Sequence, residues 1–309
     1  MNARRFLTGC LLPAVLCCAT PAADMTVISW NVESGGADPG TIAQRIRDLD
    51  GVDLWGLSEV QNSNWAQQFE RAAEDDEPGD FYAFLGTTGD ADRLLILYDS
   101  QQFTELERFE MTWADRPWYR PTMRLPEPLV VKLRHNATGQ EFFFMVNHLY
   151  QGRDADPRRL DQATMLNEWA AAQTLPVIAV GDYNFDYDLD LGQDDENYEK
   201  GFGNMTRNAV FAWVFPEPLI ATHCSPHSRI LDFVFLANAT GVMTGTSEVL
   251  QVPGDCPDDD RTPDHRPVRA LLTIGNGDEP SLKQQILDRI AQMERELAEL
   301  KALLEQMSG

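Results

Sequence analysis

Six apolar runs of this chain end on, or enclose, residue types that a hydrocarbon interior excludes. Asn31 closes MTVISWN, Glu59 sits near the end of LWGLSEVQ, and His148 follows Asn147 at the end of EFFFMVNH. Asp182 and Asn184 close PVIAVGDYN, Asp232 interrupts SRILDFVFL, and Asp264 with His265 precedes RPVRALLTI. Ionised groups are costly to bury unless they pair with one another or hold a metal. One such intrusion is ordinary structural polarity; a series of them built from carboxylates, amides and imidazoles is a set with chemistry in it. Carboxylate and amide oxygens suit a hard dication, Mg²⁺ above all, with Mn²⁺ or Ca²⁺ as alternatives. Imidazole paired with carboxylate moves protons near neutral pH. The chemistry to expect is acid–base work beside a divalent cation.

The elements that must position these residues are legible as strands. Residues 25–32, 52–60, 93–100, 127–135, 141–149, 176–184, 228–238 and 266–274 are short apolar runs bounded by turn residues. Several are too uniformly apolar to be half-exposed, which predicts sheets covered on both faces. Helices are predicted over 41–49, 63–75 and 156–173, the last opened by Asp156 as N-cap and Pro157 at the first helical position.

The surrounding composition bounds the class of protein. There are 49 acidic residues against 25 basic ones, with a net charge of −24. Such a surface keeps a chain soluble and repels polyanions unless cations intervene. The N-terminal stretch MNARRFLTGCLLPAVLCCATPAAD has two arginines, a short apolar segment and then small residues. It is too short for a membrane span and reads as a secretory signal over 1–23. The expected location is secreted or periplasmic, with no stable membrane span. Cys224 and Cys256 then form an even pair in an oxidising compartment, and a disulfide between them is expected.

Two further stretches stand out. Residues 186–204 are acidic, and Asp186, Asp188 and Asp190 alternate as in a calcium loop, but Leu191 and Asn197 occupy positions where such a loop needs glycine and glutamate. A solvated loop is the reading. After a linker over 275–280, residues 281–309 carry Ile286, Ile290, Met293, Leu297, Leu300, Leu304 and Met307 in 4-3 alternation. That predicts a coiled-coil helix and a homo-oligomer through it.

The ordered series SWNVES, LSEVQ, VNHLY, GDYNFD, LDFVF and PDHRPV resembles the endonuclease/exonuclease/phosphatase superfamily, to which pancreatic-type deoxyribonucleases and bacterial sphingomyelinases belong. The resemblance covers residues 24–274 as one catalytic domain. It implies an α+β fold, a four-layered α/β/β/α sandwich with two packed mixed sheets, and metal-dependent hydrolysis of phosphate esters. It also implies roles: Glu59, Asn31 and Asp264 as metal-binding residues; His265 with Asp232 as a dyad; His148 as proton donor to the leaving group, with Asp92 as its supporting acid. Asp182 and Asn184 would orient the nucleophilic water and the phosphate. A phosphate-facing arginine is expected in RPWYRPTMR, where Arg116, Arg120 and Arg124 have equivalent claims on spacing and Arg120 is the choice. Trp118 and Tyr119 beside these arginines, with Arg153, Arg158 and Arg159 further on, suit a nucleic-acid backbone and its bases. A secreted nuclease is the leading reading. A sphingomyelinase-like or small-molecule phosphodiesterase and a catalytically silent binding protein displayed by the coiled coil are the alternatives.

Overall fold

Strand alternation sorts the side chains of this protein into three apolar layers, and the layers define the architecture. The computed structural model describes residues 22–275 except 76–79, 121–122, 152–155, 189–199, 225–228, 253–254, 257–258 and 260. Residues 1–21 of the expected signal, residues 281–309 where a coiled-coil helix is expected, Arg153 and residues 189–199 of the acidic stretch lie outside the described residues.

Twelve strands are described: β1 (Ala23–Asn31), β2 (Leu54–Val60), β3 (Phe81–Leu85), β4 (Arg93–Asp99), β5 (Phe103–Glu110), β6 (Leu129–His135), β7 (Glu141–His148), β8 (Val177–Asp188), β9 (Phe211–Trp213), β10 (Arg229–Ala237), β11 (Met243–Val249) and β12 (Val268–Ile274). They form two six-stranded sheets, in the orders β11-β12-β1-β2-β4-β3 and β5-β6-β7-β8-β10-β9. Each sheet is mixed. β1 runs parallel to β2, and β7 parallel to β8, while the other pairs are antiparallel.

The parallel pairs need crossovers, and helices supply them. Helix α1 (Pro39–Arg47) lies between β1 and β2, and α3 (Pro157–Ala171) between β7 and β8. Asp38 caps α1 by accepting from the Thr41 amide, Asn62 caps α2 (Ser63–Glu74), and Asp156 caps α3 ahead of Pro157. A short α4 (Lys200–Thr206) follows β8. Ile42 and Ile46 of α1 and Trp65 and Phe69 of α2 pack on Ile28, Trp30, Trp55 and Leu97 of the first sheet. Ala163, Leu166 and Ala170 of α3 pack on Met145, Val177 and Ala179 of the second. Between the sheets lie Val27, Leu54, Ile96, Phe144, Val146, Ile178, Val180 and Val234. The order is helix, sheet, sheet, helix, as expected.

One glycine sets the spacing of the sheets. A Cβ on Gly56 of β2 would stand 2.3 Å from Val180 Cγ2 and 2.9 Å from Val146 Cγ2 on the opposite sheet. The two central strands of one sheet therefore reach into the other at a point where no methyl fits. No helix among the described residues is long and apolar enough to cross a membrane.

Candidate active site

The inner faces of the central strands are apolar for most of their length and turn polar at one end. On β8, Ile178 and Val180 belong to the layer between the sheets, and Asp182 is the next residue on that side. On β7 the series is Phe142, Phe144, Val146 and then His148; on β1 it is Met25, Val27 and, further along, Asn31. Strand β10 runs the opposite way, so Asp232 precedes Val234 and Leu236. Strand β12 is likewise antiparallel to β1, and Asp264 and His265 come just before it. Topology thus delivers all of these residues to one edge.

Local irregularities finish the placement. The β2–β4 register shifts between Leu57 and Val60, and Glu59 has φ 60°. The β8–β10 register shifts between Ile230 and Asp232. Such bulges re-aim a side chain that strict alternation would send elsewhere. Asn184 (φ 51°) and Glu33 (φ 50°) also occupy the left-handed region, which costs a non-glycine residue about 1–3 kcal/mol. Gly181 has φ 135°, and a Cβ there would fall 1.9 Å from the Asn147 carbonyl oxygen, so the glycine of GDYN is obligatory.

The resulting cluster is tightly bonded. Asn31 Nδ2 donates to Glu59 Oε1 at 2.9 Å and to Asp182 Oδ2 at 3.1 Å. Asp182 Oδ2 is 3.6 Å from His148 Nε2 and 3.8 Å from His265 Nε2. His148 Nε2 lies 3.8 Å from Glu59 Oε1. His265 Nδ1 meets Asp232 Oδ2 at 2.7 Å, and the Trp30 indole donates to the His265 carbonyl at 2.9 Å. The Asn184 amide N–H donates to Asp182 Oδ1 at 2.9 Å, while its Nδ2 donates to the Leu149 carbonyl at 3.1 Å. Asn184 therefore fixes the orientation of Asp182. Asp264 Oδ2 is 3.2 Å from His223 Nε2, and its backbone N–H donates to Glu33 Oε2 at 3.0 Å.

Burial shapes the charges. Asp182 and Asp232 are each 2% exposed. Burial raises the Asp182 carboxyl, with His265 opposing the rise and Asp232 adding to it. For His265, burial disfavours the imidazolium, but Asp232, Asp182 and Asp264 outweigh it and push the group up to about 10. Asp264 is held below the usual carboxylate value: burial pushes it up, and the His223 hydrogen bond and the His265 charge more than reverse that.

Glu33, Glu59, Asp182, Asp264, His148, His223, His265 and Asn184 line one cleft of about 380 Å³, with Arg229 as the one lining guanidinium among the described residues. Four carboxylates facing one arginine form a donor set that fits a hard dication. Asn31 differs from a plain ligand, because its Oδ1 accepts from the Glu33 amide at 3.0 Å while its Nδ2 steadies the two carboxylates.

Not every expected residue joins this group. Asp92 is not bonded to His148; its Oδ1 accepts from Ser34 Oγ at 2.6 Å, and His148 Nδ1 is buried without a hydrogen-bond partner. Asp92 instead lines a neighbouring groove with Glu59, His148, Tyr150 and Arg124. Arg120 lines neither cavity and donates to the carbonyls of Pro117 and Tyr119. Of the three arginines with equal claims, Arg124 is the one at the groove, where it pairs with Asp90 at 2.7 Å. Arg159 is not a surface cation: it is 2% exposed and donates to the Tyr150 carbonyl. His223 and Arg229 line the cleft and are residues that sequence reading does not single out; Glu33, just beyond the end of the first apolar run, is the other cleft residue with no role assigned from sequence. The expected disulfide joins Cys224 and Cys256, with Cα atoms 5.4 Å apart.

Residues 28–276 match the model of the Endonuclease/Exonuclease/phosphatase family. Among solved structures, a Bacteroides thetaiotaomicron protein of that family superposes with a TM-score of 0.60 at 18% identity, covering 83% of this chain and 97% of its own. A mannosyl-6-phosphatase from Bacteroides thetaiotaomicron gives 0.58 at 18% identity, covering 80% and 99%. D. rerio TDP2 complexed with a single-strand DNA product gives 0.60 at 18% identity, covering 81% and 99%. No curated protein matches. Identities this low speak to the fold alone, but the family match spans every strand end from Asn31 to His265. The chain belongs to the Endonuclease/Exonuclease/phosphatase family, a family of phosphoesterase-type hydrolases.

Proposed function

We propose that this chain is an exported, divalent-cation-dependent phosphodiesterase whose substrate is nucleic acid. The observation that carries the reading is the convergence of Asp182 with two imidazoles, His148 at 3.6 Å and His265 at 3.8 Å, next to the Asn31-tethered Glu59. Glu59 and Asp264, with Asn31 steadying the former, would hold Mg²⁺, or Mn²⁺ or Ca²⁺ in its place. When bound, the ion supplies positive charge to the phosphoryl oxygens and the leaving alkoxide.

The protein's own groups divide the remaining work. Asp182, buried and inclined to hold a proton, accepts the proton of the attacking water. Asn184 and Asn31 lock its two oxygens, which supplies the orientation that proximity catalysis needs. His265, kept as an imidazolium by Asp232, donates from Nε2 to a non-bridging phosphoryl oxygen. His148 protonates the leaving oxygen.

The adjoining groove of about 420 Å³ supports nucleic acid over a small ester. It shares Glu59 and His148 with the cleft and is also lined by Asp92, Tyr150, Leu125, Pro126 and Arg124. The Arg158 guanidinium stacks 3.6 Å from the centre of the Tyr150 ring, which rigidifies that aromatic wall. An aromatic and apolar wall that also carries a guanidinium suits a base and a neighbouring phosphate. The net charge of −24 works against a long polyanion, so binding must rely on this local patch and on divalent ions.

The test is incubation of the protein with plasmid DNA, RNA, sphingomyelin and bis-(p-nitrophenyl) phosphate, each with Mg²⁺ and with EDTA. Cleavage of DNA or RNA that EDTA abolishes is the expected result. Hydrolysis of the lipid alone would move the assignment to a head-group hydrolase. Inertness toward every substrate, with the fold intact, would favour a silent binding protein.

A further inference from the structure

His223 is absent from the catalytic scheme above, yet it sits in the cleft on a built support. Residues 222–224 and 264–266 run antiparallel as an isolated bridge between His223 and His265. The Cys224 amide donates to the Asp264 carbonyl at 2.8 Å, and the Arg266 amide to the Thr222 carbonyl at 2.7 Å. The Cys224–Cys256 disulfide anchors one side, and Arg266 anchors the other by donating from Nε to Asp255 Oδ2 at 2.8 Å.

On this support three donors converge. His223 Nε2 is 3.2 Å from Asp264 Oδ2, Asp264 Oδ1 is 3.8 Å from His265 Nε2, and the two imidazole rings meet edge to face with centroids 4.8 Å apart. One ligand atom from each of the three residues lies within 4.8 Å of the other two. Zinc-type bonds of about 2.0–2.2 Å place tetrahedral ligand atoms roughly 3.3 Å apart, so modest closure suffices. His265 Nδ1 is already engaged by Asp232, the arrangement that points the other imidazole nitrogen of a metal-bound histidine at its ion. Two imidazoles and one carboxylate favour a transition dication over Mg²⁺, in contrast to the oxygen donors around Glu59.

We propose that His223, Asp264 and His265 form a second cation site of the zinc class, and that filling it silences the hydrolytic site. A dication there would take the place of the His223–Asp264 hydrogen bond, draw on the Asp264 carboxylate that the Mg²⁺ site also uses, and engage His265 Nε2, the atom that the proposed mechanism directs at the phosphoryl oxygen. The silencing part rests on that mechanism; the binding part does not.

The experiment uses the full chain stripped with EDTA and titrated with Co²⁺, read by visible absorption without substrate. Wild type should develop ligand-field bands that saturate at one equivalent at this site. His223→Phe keeps a ring against His265 and removes the nitrogen; it should lose the bands and bind Co²⁺ at least tenfold more weakly. Glu59→Gln should keep them. In parallel, Zn²⁺ is added to Mg²⁺-supported hydrolysis of bis-(p-nitrophenyl) phosphate, with each variant normalised to its own Mg²⁺ rate. His223→Phe should need at least tenfold more Zn²⁺ for half-inhibition. Equal Co²⁺ titrations in wild type and His223→Phe would overturn the site. Lost bands with unchanged zinc sensitivity would overturn the silencing. A protein that binds Co²⁺ as expected but hydrolyses nothing would refute the phosphoesterase reading and leave the site standing.

Discussion

Val146 and Val180 meet Gly56 across a gap that excludes a methyl, whereas one pleat further along the same two strands His148 and Asp182 open onto a cleft of about 380 Å³. The same β7 and β8 backbones thus build a sealed apolar region and a wet polar one within a few residues. The sealed region fixes the distance between sheets. The polar region converts that fixed distance into a fixed geometry of proton donors and acceptors. Rigidity and reactivity are separated along the strand, not between elements, so the polar end can be changed without disturbing the sealed one.

The sharpest test of that separation is Glu59→Gln. It keeps shape and removes one charge at the polar end, so kcat/KM should fall by about 10³ or more while the melting temperature stays within a few degrees. A parallel loss of stability would show that the two regions are not independent. His265→Ala should also abolish turnover, but it leaves the buried Asp232 without its partner and should cost about 3 kcal/mol as well. Comparing the two variants by kinetics and thermal melting sets the boundary of the polar region.

Gly56→Ala probes the opposite end. The new methyl meets Val180 and Val146, so overpacking should cost about 3 kcal/mol, read as a lower urea midpoint. Because the sheets carry opposite halves of the cleft, turnover should fall too; a stable, fully active variant would mean that the sheet gap does not set the site.

A smaller effect is expected at the site's outer brace. The Asp255 carboxyl is raised by burial, but the Arg266 hydrogen bonds and charge, the Val252 amide and Arg45 bring it below its usual value. A depressed carboxyl contributes stability above the unfolded value of 3.8 and loses it as pH falls through the folded value. Asp255→Asn should therefore be less stable than wild type by about 1–2 kcal/mol at pH 6, and the difference should shrink below pH 3.8. Thermal melts across that range check the sign. Smallest of all, Arg124→Ala should raise KM for DNA about three- to tenfold and leave bis-(p-nitrophenyl) phosphate unaffected, whereas Arg120→Ala should change neither.

What the sequence revealed follows from burial. The eight strands legible as apolar runs are β1, β2, β4, β6, β7, β8, β10 and β12, and these are the eight interior strands of the two sheets. Those that escaped notice, β3, β5, β9 and β11, are the four sheet edges. Two of these edges, FTELERFE and MTGTSEV, carry charge or small polar residues, and the other two, FYAFL and FAW, are apolar but only five and three residues long. The site divides the same way. Asp182, His148 and Asp232 were visible because each interrupts an apolar run. His223 lies outside any strand, after the short stretch LIAT, which is too brief to read as an apolar run that a polar residue interrupts. Its partner Asp264 is 41 residues away, a distance that spacing alone does not reveal. Arg124 was hidden among three arginines because the turn that selects it depends on three-dimensional packing, including its bond to Asp90.

The contacts from Asn31 to Asp182, from Glu59 to His148 and from His265 to Asp232 each join a segment of one sheet to a strand of the other. They act as a clasp across the open margin of two leaves. Any molecule that grips both margins, whether substrate, product or inert analogue, must also resist their parting. Occupancy of the cleft will then register as heat resistance of the whole chain, growing with ligand concentration as RT ln(1 + [L]/Kd), and a melting curve becomes a substrate screen that needs no turnover.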